Sequence, residues 1–378
     1  MKYNEQVLKV IAAVFMIYLS SIAFLYLMIP DNRFSESENR MLEQMPRFSM
    51  DDLWEGKLSS DCEKYLTDQF PFRDFWIGVK SDSERILGRR ENNGVYLGED
   101  GRLFQKCNEM DKKGLQATLA TINSFAVSRA DLDLYFLLVP NSAAIYKDSL
   151  PAYAPTDNSI VYINQIKSSL DNQINYIDIY DSLLDQKGES IYYKTDHHWT
   201  TIGAYCAYRH AAKSMGFAAR EQDDFQIKKV TDSFYGSLYS KGGFRHLNPD
   251  KIELYIPKSS ELYTVDYYDY NQCSNSLYFM DNLKKKDKYS VFLNGNQSLI
   301  RIRMNTDNDK KLLLLKDSFA NSFVPFLTEH YSEIYVVNLR YYNDNLSQLI
   351  DSQGINNVLL LYSVNGFLEK AGEQFPGL

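Results

Sequence analysis

The sequence predicts an α/β fold built on a mainly parallel sheet, and three observations lead there. Residues 132–139, 174–178, 312–315, 334–338 and 358–361 are short, nearly continuous apolar runs, the pattern of strands buried on both faces. Helical spacings at 158–171, 200–215 and 319–330 fall between those runs and one at 113–128 precedes the first, as covered parallel strands require. Residues 225–305 differ, being rich in Tyr, Asn, Asp and Lys. Their short alternating stretches, such as Ile252-Glu253-Leu254-Tyr255-Ile256, predict an antiparallel β-rich insertion.

In chain order, the first element is an apolar helix. Residues 10–29 carry no charged side chain, and at about 1.5 Å per residue they span the roughly 30 Å hydrocarbon core of a bilayer. Lys2 and Lys9 precede the run, while Asp31, Glu36 and Glu38 follow it with Arg33 and Arg40. The cationic flank stays cytoplasmic under the positive-inside rule, which puts the rest of the chain outside. Met28-Ile29-Pro30 offers no small-residue cleavage site, so the segment reads as an uncleaved anchor rather than a signal peptide. Glu36, Glu38 and Arg40 read as surface charges.

Residues 31–50 form a polar connector, with Pro30 and Pro46 as helix breakers. Helical spacing resumes from Asp51 to about Leu87 and is interrupted at Pro71. Val95-Tyr96-Leu97 and Leu103-Phe104 flank Glu99-Asp100-Gly101 as a small hairpin. This divides the chain into a stub and anchor (1–30), a connector with N-terminal helices (31–90) and a catalytic domain (91–378) that contains the insertion at 225–305.

The 378 residues are 44% apolar and 24% charged, enough for one large decorated core. A net charge of −8 argues against nucleic acid, which needs a basic face. The 29 tyrosines suit stacking on sugars as well as ordinary strand packing. Cys62, Cys107, Cys206 and Cys273 are scattered without metal-binding or disulfide-framework spacing. No metal or cofactor is expected.

The chemistry concentrates in Thr195-Asp196-His197-His198-Trp199-Thr200. Residues i and i+2 of an extended loop point the same way. Asp196 can therefore fix the tautomer of His198, leaving the other ring nitrogen to take a proton. The nucleophile expected to meet it is Ser318, where the apolar run 312–315 stops at Lys316-Asp317-Ser318 and a helical pattern begins. His197 could orient substrate or cap the loop, and Trp199 could pack beneath the loop or stack on a sugar. Arg340 and Tyr341 follow one predicted strand end and Asn365 another, so all three are expected near the cleft as substrate contacts, with pairing to an acid as the alternative for Arg340. Thr200 and Thr201 read as N-caps. Gly242-Gly243 reads as a turn, with approach of its backbone N–H groups to an oxyanion as the alternative.

The Asp-His-His-Trp string resembles the bacterial DHHW proteins, which are similar to the alginate O-acetyltransferase branch of SGNH-like hydrolases. Supporting blocks are Phe34-Ser35-Glu36-Ser37-Glu38-Asn39-Arg40-Met41-Leu42, Asp68-Gln69-Phe70-Pro71-Phe72-Arg73-Asp74, Val139-Pro140-Asn141, Leu150-Pro151 and Asp232-Ser233-Phe234-Tyr235-Gly236. The resemblance implies a three-layer α/β/α SGNH-like domain in which Asp196, His198 and Ser318 fill the catalytic roles. The chain departs from the Gly-Asp-Ser block of SGNH enzymes by having Lys316 in place of Gly, so oxyanion-hole geometry does not carry over. Two function classes follow. One is an extracytoplasmic O-acetyltransferase acting on an envelope or secreted polysaccharide, with carbohydrate acetylesterase as the same chemistry ending in water. The other is a non-catalytic glycan-binding or assembly component. No nucleotide-binding fingerprint is present, and the resemblance implies a membrane-bound O-acyltransferase partner as acetyl donor.

Overall fold

Residues 2–35, 40–155, 157–258, 263–306 and 308–371 are described by the computed structural model. Glu36, Ser37, Glu38 and Asn39 lie outside the described residues, and with them the expectation of surface charge at Glu36 and Glu38. The chain divides into two units, Met1–Arg89 with Gly243–Arg245, and Arg90–Gly242 with His246–Leu378.

The first unit begins with a helix over Lys2–Met28. Its stretch Glu5–Met28 is long and apolar enough to cross a membrane, a length and composition shared by membrane spans and signal sequences, and none of that stretch is buried. Three further helices, Met50–Trp54, Lys57–Asp68 and Arg73–Ile86, fill the helical stretch read from the sequence, with Pro71 in the break between the last two. The Tyr26 hydroxyl donates to the Leu66 carbonyl, and the Asp68 carboxylate accepts the Glu43 N–H at 2.9 Å.

The second unit is built on eight strands: β1 (Asp133–Val139), β2 (Ile174–Ile177), β3 (Tyr263–Tyr267), β4 (Gln272–Ser274), β5 (Leu299–Met304), β6 (Lys311–Lys316), β7 (Glu333–Val337) and β8 (Asn357–Ser363). Their order across the sheet is β4-β3-β5-β7-β6-β8-β1-β2. The run from β7 to β2 is parallel, and it contains the five strands expected from continuous apolar sequence. β5, β3 and β4 add antiparallel to the β7 edge. Residues 225–305 therefore split. Phe225–Phe234 and Asp250–Pro257 pair as a separate hairpin, while β3 to β5 extend the main sheet.

Side-chain alternation explains why these strands read as unbroken apolar runs. Leu312 and Leu314 face one core with Leu137, Val139, Leu359 and Leu361, whereas Leu313 and Leu315 face the other with Phe136, Leu138, Val358 and Leu360. Both faces are covered by helices, so each position along β6 gains burial, worth about 1.5–3 kcal/mol for a leucine. Helix α1 (Lys112–Ser128), α2 (Ser159–Ser169), α4 (Leu346–Gln353) and α5 (Val364–Lys370) supply the second core, and α3 (Thr201–Ser214) the first. α3 can approach closely because Ala204, Ala207 and Ala211 line its buried stripe.

The stretch at 319–330 differs from the helix its spacing suggests. It folds as three successive 3₁₀ turns, Ser318–Ser322, Val324–Phe326 and Thr328–His330. Pro325 has no N–H to donate to an α-helical ladder, and the tighter winding buries Phe319, Phe323 and Phe326 together in the first core.

Candidate active site

β6 ends at Lys316, and Asp317 turns the chain. Its carboxylate accepts the Phe319 N–H at 3.0 Å, capping the first 3₁₀ turn, and the other oxygen accepts the Ser363 N–H at 2.8 Å and hydroxyl at 2.7 Å. Burial pushes the Asp317 carboxyl up, against these bonds. Gly366 lies so close that a Cβ there would stand 2.3 Å from the Asp317 carboxylate. The result is a fixed elbow with Ser318 at its tip.

The histidine loop is fixed from the other side. Tyr192 bridges Trp199, and the Thr200 N–H donates to the Ile191 carbonyl at 2.9 Å, closing a loop around residues 193–198. Asp250 accepts the N–H groups of Lys194 and Thr195 at 2.9 and 2.8 Å and the Thr195 hydroxyl at 2.6 Å. Thr200 then caps α3 through its side chain.

These two devices bring Ser318, His198 and Asp196 into one hydrogen-bonded chain. His198 Nε2 lies 2.7 Å from Ser318 Oγ, across 120 residues of sequence, and His198 Nδ1 lies 2.6 Å from Asp196 Oδ1. Asp196 also accepts the His198 N–H at 2.9 Å and the Ser237 N–H at 2.7 Å. Burial alone would raise the Asp196 carboxyl, but the two histidines and these hydrogen bonds outweigh it and hold the carboxyl below its ordinary range. The arrangement can pass a proton from Ser318 to the ring while the carboxylate fixes the tautomer.

His197 is half-buried. Its Nδ1 lies 2.7 Å from Ser237 Oγ, and burial, His198 and Lys241 push its ring down to about 4, so it is neutral at neutral pH. The candidate ligand atoms of Asp196, His197 and His198 lie within 4.8 Å of one another. Those of Asp196 and His198 are already engaged in the chain, and His197 Nδ1 in the contact with Ser237. The cluster therefore reads as a hydrogen-bonded relay in preference to a metal centre.

A solvent-open cleft runs past Ser318. Three of the residues expected as substrate contacts, His197, Arg340 and Asn365, line it. Arg340 also faces Glu369 at 3.5 Å, and the Asn365 amide oxygen accepts the Asn108 N–H at 3.0 Å. The other two are elsewhere. Trp199 is fully buried, its Nε1–H donating to the Phe319 carbonyl at 2.9 Å and to Ser322 Oγ at 3.0 Å. The sugar-stacking expectation for Trp199 is thus corrected: the indole ties the histidine loop to the serine turn. Tyr341 is exposed and is not among the cleft-lining residues.

Four residues escaped the sequence reading. Lys316 is buried at the cleft wall, where its ammonium donates to the amide oxygens of Asn296 at 2.9 Å and Asn321 at 2.6 Å, and burial pushes it down to about 7. Tyr289 stacks on His198 with ring centroids 3.9 Å apart. Asp250 anchors the loop, and Gly236 touches Asp196. Only Gly236 had a local signal, as the last residue of the Asp232–Gly236 block.

A Cβ on Gly236 would lie 2.2 Å from Asp196 Cβ and 2.4 Å from its carboxylate. Gly236→Ala should therefore push Asp196 out of line. Turnover is expected to fall on the order of 10²-fold, as for other small misplacements, with about 1–3 kcal/mol of stability lost to overpacking. Acetyl-ester kinetics beside thermal unfolding would test this, and wild-type turnover in the variant would show that the contact does not position the acid.

The family model described as DHHW protein matches residues 115–337. A DHHW family protein from Eubacterium siraeum DSM 15702 superposes with a TM-score of 0.64 at 24% identity, over 76% of this chain and 98% of that one. Bacillus cereus PatB1, solved also with a sulfonyl adduct, superposes at 0.63 with 21% identity, over 75% of this chain and 99% of its own. The O-acetyltransferase domain of Pseudomonas putida AlgJ is more distant, at 0.47 and 14% over 74% of this chain and 93% of that one. No curated protein sequence matches the chain. The fold is thus common to the first two.

Proposed function

From the premise that this chain belongs to the DHHW protein family, we propose that it is an extracytoplasmic O-acetyltransferase that modifies polysaccharide hydroxyls through an acetyl-serine intermediate. The observation that carries the proposal is the unbroken chain Ser318 Oγ, His198, Asp196, with both links at 2.6–2.7 Å. Ser318 Oγ attacks the acetyl carbonyl while His198 Nε2 takes its proton, and Asp196 stabilises the imidazolium. The imidazolium then protonates the leaving group. In the second half a sugar hydroxyl gives its proton to His198 and attacks the acetyl-serine, and His198 returns that proton to the departing Ser318 Oγ. Residues 91–378 would form the SGNH-like catalytic domain, and His197, Arg340 and Asn365 would contact the sugar.

The donor follows from compartment. A domain outside the membrane has no access to acetyl-CoA, so a membrane-bound O-acyltransferase is the proposed source of the acetyl group. The test of the reaction is intact-mass detection of one acetyl group on Ser318 after brief exposure to an acetyl ester, followed by its transfer to an added oligosaccharide. Release to water alone would replace the transferase with an esterase, and no acetyl-serine at all would remove the enzyme reading.

The N-terminal helix would hold this domain to the outer face. Protease added to intact protoplasts should digest residues beyond about 30, since the apolar run matches the roughly 30 Å bilayer core. Full protection of the body would overturn that topology.

A further inference from the structure

We propose that Tyr289 is a positioning residue that holds His198 in line with Ser318 and favours its protonated form during acyl transfer. The inference rests on the reading of His198 as the base of Ser318. Tyr289 lies on the 3₁₀ turn Lys288–Val291, within the insertion and outside both motif-bearing loops. Its ring is parallel to the His198 imidazole, with centroids 3.9 Å apart and planes inclined by 10°. Its hydroxyl donates to the Ser318 carbonyl at 3.2 Å and lies 3.2 Å from Ser322 Oγ. One buried side chain therefore touches the base with its ring and the nucleophile's turn with its hydroxyl. Tyr193 and Phe292 make ring contacts with it, and Phe234 packs against Tyr193 in the same buried cluster.

The stacking has an electronic consequence. The face of a tyrosine ring is negative and attracts a cation, and His198 becomes a cation each time it takes the serine proton. The other groups acting on His198 are Asp196, which bonds it; His197, whose ring centroid is 3.8 Å away and which is held neutral; and the carboxyls of Asp287 and Asp317. Burial raises both of those carboxyls, and Asp196 raises Asp287 further. The Tyr289 face adds attraction where the ring of His198 is dry, and it does so without a competing proton, because burial also drives its own phenol far up.

The sign follows. Stabilising imidazolium lowers the barrier and also makes the resting base easier to protonate. Removing the ring should then lower the plateau of kcat/KM and move its acid limb to lower pH, a pairing that simple loosening does not produce. In the full-length protein in detergent, Tyr289→Leu is expected to shift the limb for acetyl-ester turnover down by about half to one pH unit, within the range of cation–π contacts. Phenylalanines of increasing fluorination at 289 keep the shape and weaken the negative face, so they should shift the limb stepwise. Tyr289→Phe should leave the limb in place and reduce only the plateau, through loss of the bond to the Ser318 turn. If Tyr289→Leu fails to fold, the fluorinated series decides. A limb that stays fixed across that series overturns the proposal even when Ser318→Ala is inactive, whereas turnover surviving in Ser318→Ala overturns the acetyl-serine reading beneath it.

Discussion

Ser318→Ala is expected to abolish acetyl-enzyme formation and to reduce turnover to the level that binding alone provides. Removing the nucleophile of a Ser-His-Asp system elsewhere costs on the order of 10⁶ in kcat, with a residue of catalysis left from positioning and oxyanion donors. The neighbouring serine cannot substitute. Ser322 Oγ is fully buried, receives the Trp199 indole N–H at 3.0 Å and sits 3.2 Å from the Tyr289 hydroxyl. Ser322→Ala should therefore disturb the packing between the two loops without removing the acetyl acceptor. His198→Ala should match Ser318→Ala in turnover while leaving the hydroxyl in place. The measurement is intact mass together with steady-state hydrolysis by each folded variant. Wild-type turnover from Ser318→Ala would end the mechanism through an acetyl group on Ser318.

The residues of that chain were legible because each sits at a sharp change of sequence character. β6 is four leucines that stop at Lys316-Asp317-Ser318, and a strand buried on both faces must read that way whatever surrounds it. Asp196 and His198 share a local string, so their hydrogen bond is a short-range fact. Trp199 was half legible: its identity fitted packing beneath the loop, but only the fold brings Phe319 and Ser322, 120 and 123 residues away, to its indole N–H. Tyr289, Asp250 and Lys316 were illegible for the same reason. Nothing in 29 tyrosines distinguishes the one stacked on a histidine, and a lysine at a strand end reads as a surface charge until Asn296 and Asn321 close over it. The 3₁₀ winding at 318–330 shows a further limit. Apolar spacing near a period of three to four suits both windings, and Pro325 is what excludes the α-helix.

Asp196→Asn is expected to cost on the order of 10⁴ in kcat with little change in KM, the scale seen when a buried acid of this kind becomes an amide. The reason is which atom faces the ring. Asp196 presents one oxygen to His198 Nδ1 at 2.6 Å and to the His198 N–H at 2.9 Å, and the other to the Ser237 N–H at 2.7 Å. An asparagine has one oxygen for three donors. If that oxygen takes the place that faces the Ser237 N–H, the amide nitrogen points at Nδ1 and at the His198 N–H. The ring then carries its proton on Nε2, facing Ser318, and cannot accept another there. If the oxygen serves Nδ1, an N–H meets the Ser237 N–H and the loop is pushed apart. The carboxylate avoids both outcomes throughout the working range, because it is held below the ordinary carboxyl value. By linkage, a carboxyl depressed in the folded state stabilises the fold above its unfolded value, near 3.8, and that stability is lost as pH falls through the folded value. The wild-type protein should thus gain this stability on going from acid to neutral pH, while Asp196→Asn should lack the dependence. Kinetics at neutral pH and thermal unfolding from acid to neutral pH test the two halves separately. An Asp196→Asn variant within about tenfold of wild-type kcat would mean that the imidazole tautomer is set by some other group, and the acid would lose its place in the mechanism.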